Sequence, residues 1–116
     1  MFKNLGWIVE GKIKEGQRDA FEAVMKDLVK ATTEEEGTLN YQYYVSSAGD
    51  VIVYERFKDV DAANTHIDTW EKYAERWVAA AEPTRMVHLG EVPAEIRARH
   101  AALEPLYLRP FGGFAR

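Results

Sequence analysis

Residues 51–57 alternate Val51, Val53, Glu55 and Phe57 with Ile52, Tyr54 and Arg56, and beyond Asp59 the apolar spacing changes to three and four. A period of two marks a strand, and a period near 3.6 marks a helix with one buried stripe. The stripe contains Ala63, His66, Ile67, Trp70, Tyr73, Ala74, Trp77 and Val78, which predicts a single amphipathic helix. Asp59 suits its N-cap, and Asp61 suits the positive end of its dipole. Two ionisable residues fall on these apolar faces: Glu55 in the strand and, eleven positions later, His66 in the helix. Burying a charge without a partner is costly. The two can pair with one another, or handle a proton for a bound ligand. The plainer alternatives are a Glu55 held by Arg85 or by backbone, and a His66 that is a satisfied core residue.

The rest of the chain repeats the same two periods. Trp7, Val9, Gly11 and Ile13 alternate with Ile8, Glu10, Lys12 and Lys14 as a first strand. Gly16 opens a helix with the stripe Phe21, Val24, Met25, Leu28 and Val29, ending near Thr33. Gly37 is expected as its left-handed terminator. Glu34, Glu35 and Glu36 belong to the turn, because they oppose the negative end of the dipole. Leu39, Tyr41, Tyr43 and Val45 make one face of a second strand, with Asn40, Gln42 and Tyr44 on the other. A polar turn at 46–50 joins it to the Glu55 strand as an antiparallel hairpin. A fourth strand is expected over about 85–92.

The order β-α-β-β-α-β predicts an α+β, ferredoxin-like fold, with a four-stranded antiparallel sheet and both helices on one face. The other face is too apolar to meet water, since Ile8 opposes Val9, Tyr44 opposes Tyr43 and Ile52 opposes Val53. A homodimer joined through the sheet faces resolves this. Residues 1–92 form the domain. Residues 93–116 form a helix entered at Pro93, with Ile96, His100 and Leu103 in its stripe, then a tail containing Leu106, Tyr107, Leu108, Phe111 and Phe114. That tail should pack on the domain or on the partner subunit.

A chain of 116 residues is one domain. Its net charge of −4, without a basic cluster, argues against nucleic acid. No apolar run reaches membrane-spanning length, and the N-terminus lacks the layout of a secretory signal, so the cytoplasm is the default location. With no cysteine there is no disulfide, thiolate, iron–sulfur or cysteine–zinc chemistry. No second ligand lies one helical turn from His66, so no metal is expected. His88 and His100 read as structural or surface residues.

Three patterns point to a known family: Glu35, Glu36 and Gly37 before Leu39 and Tyr41; Tyr54, Glu55, Arg56 and Phe57 before Lys58 and Asp59; and the helix bearing His66. Over residues 7–92 the chain resembles the antibiotic biosynthesis monooxygenase domain, a dimeric α/β-barrel family that includes quinol monooxygenases. Glu36 stands where that family usually has proline. The second helix histidine of many members is missing, since Trp70 follows Thr69. The tail from Arg109 to Phe114 is similar to extensions in a subset of members.

The resemblance implies oxidation of a small aromatic or quinol-like substrate by dioxygen, without metal, flavin or haem. Such chemistry needs a base, an apolar pocket and exclusion of water. The resemblance implies His66 or Glu55 as the base, and Trp70, Tyr41, Tyr43, Phe57 and Trp77 as pocket walls. Two rivals use the same residues: a proton-transfer enzyme (an isomerase) on a small carbonyl compound, and a non-catalytic ligand-binding dimer. Haem-degrading relatives of this fold combine an Asn, a Trp and a His. Asn4 and Trp70 are present, but no His follows Trp70 in the similar place.

Overall fold

The computed structural model describes residues 5–116, so Asn4 lies outside the described residues. Strand β1 (Leu5–Ile13) leads to helix α1 (Arg18–Thr33), then to the hairpin β2 (Thr38–Val45) and β3 (Asp50–Phe57). Helices α2 (Val60–Glu71) and α3 (Ala74–Ala80) follow, then strand β4 (Ala81–Leu89), helix α4 (Ala94–His100) and strand β5 (Leu106–Leu108). The strand order across the sheet is β2-β3-β1-β4-β5. The first four strands pair antiparallel in the ferredoxin-like arrangement.

The sheet has five strands rather than four, because β5 joins the β4 edge, with His88 opposite Tyr107. Helix α4 carries the chain back along β4, so β5 runs parallel to it. Strand β4 also begins earlier than residue 85. Pro83, which has no N–H to give, lies beside the irregularity at Glu10 and Gly11, beyond the reach of β5.

The second helix is two helices. Asp59 caps α2 through its side chain, accepting from the Ala62 N–H at 2.8 Å. Ala63, His66 and Ile67 are buried as the stripe requires. The chain then tightens, with Lys72 N–H donating to Thr69 and Tyr73 N–H to Trp70. This resets the helical phase, so α3 buries Trp77 and Ala80 and leaves Val78 exposed.

Gly37 is not left-handed; α1 ends at Glu34 in ordinary helical geometry. Glycine is needed here for another reason. A Cβ on Gly37 would stand 2.4 Å from the Ala62 Cβ, so the start of β2 can lie against the start of α2 only without a side chain.

Two apolar clusters fill the space between helices and sheet. One contains Trp7, Phe57, Ile67 and Ile96, and the other Phe21, Leu28, Val53 and Trp77. On the opposite face of the sheet, Tyr44 and Ile52 face each other across β2 and β3, both exposed. Leu106 and Leu108 of β5 are also exposed.

Candidate functional site: a buried histidine between two glutamates

Strand β3 turns Val51, Val53, Glu55 and Phe57 toward the helices, and Glu55 is only 5 % exposed. Helix α2 lowers His66 onto it from above, leaving the imidazole 1 % exposed. His66 Nε2 lies 3.0 Å from Glu55 Oε1. The ring N–H does not point along that line, so the contact is an ion pair without a formed hydrogen bond. The sequence-based pairing of Glu55 with His66 is therefore present as a contact. Arg85, the other partner considered for Glu55, is bonded to Glu10 instead, at 2.7 Å.

A third residue completes the cluster. His66 Nδ1 lies 3.1 Å from Glu35 Oε1 in hydrogen-bond geometry. Glu35 sits in the turn after α1 and also accepts from the Thr38 hydroxyl at 2.6 Å. Sequence reasoning placed it in that turn but gave it no role in the site. A signal was present: three successive glutamates at the unfavourable end of a helix dipole call for a nearby cation. Both ring nitrogens of His66 thus face carboxylates, and neither is left over for a substrate.

Burial alone would lower the proton affinity of His66. Glu35 and Glu55 more than reverse this, raising the pKa to about 9. Burial likewise pushes Glu35 upward, but hydrogen bonds from His66 and Thr38 hold it below its ordinary value. At neutral pH, His66 is an imidazolium clasped from both sides. The carboxylates approach opposite edges of one ring and do not converge on a common point. Among the described residues, no group of three or more His, Asp or Glu could hold a metal ion.

Of the aromatic candidates, Tyr41 and Phe57 flank the His66 ring, with centroids 4.8 Å and 5.2 Å away. The Tyr41 and Tyr43 hydroxyls are hydrogen-bonded at 2.7 Å, and the Trp77 indole N–H donates to Tyr43 at 3.1 Å. Burial first, then neighbouring negative charge, raises the Tyr41 pKa, and burial raises that of Tyr43, so both remain phenols. Trp70 packs partly buried against the cluster around Trp77.

Two open clefts, about 280 and 260 Å³, flank Glu35. The first is charged, with Glu36, Lys58, Asp59 and Asp61 around it. The second lies between α1 and β2, against Val29, Thr32, Leu39 and Tyr41. Tyr41 is the one aromatic candidate that reaches either cleft.

The remaining histidines form a separate pair. His88 Nε2 and His100 Nδ1 are 2.9 Å apart, both residues are buried, and Tyr107 stacks on His88. Burial, then neighbouring positive charge, lowers each pKa to about 4, so both are neutral. Both lie in the interior rather than on the surface.

The chain is similar to several solved structures. MupZ from Pseudomonas fluorescens superposes with a TM-score of 0.86 at 19% identity, covering 99% of this chain and 96% of that one. SnoaB from Streptomyces nogalater, a cofactor-independent oxygenase, gives 0.66 at 10% identity, covering 80% and 97%. Rv0793 from Mycobacterium tuberculosis gives 0.67 at 19%, covering 78% and 96%. These likenesses concern the fold. No curated protein sequence matches. The pattern that defines antibiotic biosynthesis monooxygenases, however, matches residues 6–82, a span that holds Glu35, Glu55 and His66. The chain belongs to the antibiotic biosynthesis monooxygenase family.

Proposed function

We propose that this protein is a monooxygenase that needs no cofactor and oxidises a small aromatic or quinol-like substrate with dioxygen. The observation that carries the proposal is the His66 imidazolium held between Glu35 and Glu55. Two carboxylates share one cation, so the buried cluster is one proton short of neutrality and can take a proton from an acidic C–H or O–H. The role given to His66 and Glu55 as bases thus passes to the cluster as a unit.

The substrate anion passes one electron to dioxygen, and the radical pair joins to form a C–O bond. Loss of water from the resulting hydroperoxide leaves one oxygen atom as a carbonyl. Dioxygen takes all four electrons, two on the carbonyl oxygen and two on the oxygen lost as water, so no external reductant enters. Tyr41 forms the aromatic wall toward the substrate, with Tyr43, Phe57, Trp70 and Trp77 packed behind it. Family membership supports the oxygenase reading.

The working unit is a homodimer. Tyr44, Ile52, Leu106 and Leu108 give the outer sheet face an apolar surface that a second copy would cover.

Oxygen uptake with a panel of anthrones and hydroquinones tests the activity. Consumption above the uncatalysed rate, with one atom of labelled dioxygen recovered in the keto or hydroxyquinone product, is the expected result. The same cluster also suits proton transfer without oxygen. Turnover of a small carbonyl compound under anaerobic conditions, with no oxygen uptake on any phenol or anthrone, would replace the oxygenase reading with an isomerase.

A further inference from the structure

We propose that the cleft between α1 and β2 binds the hydroxyl group of a neutral hydroxylated aromatic, on Glu35 Oε2 and Thr32 Oγ1. This deepens the function proposed above and rests on it for the identity of the substrate. Thr32 and Glu35 both line this cleft, and each carries a buried polar atom, Thr32 Oγ1 and Glu35 Oε2, without a hydrogen-bond partner among the described residues. Thr32 is 3 % exposed and the Glu35 side chain 7 %. Thr69 stands near the carboxylate, but its hydroxyl donates to the Thr65 carbonyl at 3.1 Å, leaving Oε2 without a donor. Buried polar groups normally find partners. Two that lack them at one opening specify what should arrive there.

The chemistry of the opening narrows the ligand. Glu35 Oε1 is engaged by His66 and Thr38, so Oε2 is the lone pair set that remains. An ionised carboxylate repels anions and accepts from a neutral O–H. Thr32 Oγ1 can accept from the same group or donate to its oxygen. Val29, Leu39 and the Tyr41 ring supply the apolar contact for a ring. Leu39 stands out at the rim because the β2–β3 register shifts between Thr38 and Asn40, and such irregularities re-aim side chains next to sites. The volume, about 260 Å³, lies just below the ~300 Å³ at the lower end of ligand pockets. The charged cleft on the other side of Glu35 lacks this apolar lining. Glu35 is then the residue that touches substrate, and His66 acts on it from behind.

The test compares 1-naphthol with 1-methoxynaphthalene by NMR titration, in the wild type and in Thr32→Val and Leu39→Trp. The wild type should bind the naphthol more tightly, with shifts at Thr32, Glu35 and Leu39. Thr32→Val should weaken naphthol binding about 3- to 10-fold and leave the ether unchanged. Because it removes an unpartnered buried hydroxyl, its unliganded melting temperature should not fall. Leu39→Trp changes an exposed rim residue and should weaken both ligands. Equal binding of the two probes by the wild type, or an unchanged naphthol-to-ether ratio in Thr32→Val, overturns the site. Oxygen uptake separates the two proposals. Binding as described without oxygen consumption sinks the oxygenase reading and leaves the site. Oxygen consumption with an unaltered KM in both variants does the reverse.

Discussion

Glu35 and His66 meet at 3.1 Å although 31 positions separate them in the chain. The contact closes a line of three charged groups, because Glu55 lies 3.0 Å from the other ring nitrogen. An imidazole bonded on one side can work as a base at neutral pH. One clasped on both sides keeps its proton and acts through its neighbours.

Stability should peak near pH 6.5. His66 is raised from 6.5 to about 9 by folding, so its contribution is complete below about 6.5 and lost as pH rises through about 9. The size is on the order of 3 kcal/mol. His88 and His100 are lowered to about 4. The unfolded chain therefore takes up protons first as pH falls from 6.5 toward 4, and stability declines there too. Denaturant unfolding across pH 4–10 would show a dome, and a plateau from pH 7 to 10 would refute the assignment of His66.

Replacing the cation should damage both fold and activity. His66→Ala leaves Glu35 and Glu55 buried without a counter-charge, costing about 3–5 kcal/mol. It should reduce turnover by about two to four orders of magnitude. Glu55→Gln keeps the shape, so it should lower turnover with less loss of stability. Its His66 pKa, read by ring-proton NMR, should fall toward 6.5. An unchanged His66 titration in Glu55→Gln would show that Glu55 does not support the proton.

Gly37→Ala should destabilise by about 1–3 kcal/mol. The new methyl would meet the Ala62 Cβ at 2.4 Å, an atom fixed to the backbone that cannot swing aside. The double variant with Ala62→Gly should recover part of the loss. Recovery by Ala62→Gly, measured as an unfolding midpoint, separates a clash from a general effect of backbone stiffening.

The outer sheet face predicts its own disruption. Ile52→Lys places a charge on the exposed apolar surface that Ile52 shares with Tyr44. Light scattering should find a dimer for the wild type and a shift toward monomer for the variant. Truncation after Val92 should weaken the dimer or open the site to solvent. A truncated protein with wild-type thermal stability and dimer affinity would show that the tail serves neither purpose.

The first four strands and the Glu55–His66 contact are legible because each depends on a local period that aims a side chain, whereas the three residues of β5 are too few to show one. Two features were less so. Glu35 enters the site from a turn, where no period fixes direction, and its partner lies on a distant helix. The break after Glu71 carries no proline or glycine. The stripe therefore ran unbroken through Tyr73 to Val78, and only the tightened hydrogen bonds at Lys72 and Tyr73 reveal the change of phase. Gly37 was legible as a necessary glycine, though the need is close packing rather than a left-handed turn.

Strand β5 has a consequence for the solution behaviour of the chain. An open strand offers a row of unpaired N–H and C=O groups to any other extended segment. Residues 106–108 occupy the end of β4 from Val87 to Leu89 with a segment from the same molecule. A three-residue strand then forms this part of the edge, and so short a strand is a poor template for edge-to-edge polymerisation. Shortened versions of this protein should therefore be watched for fibrils and precipitates as much as for lost activity.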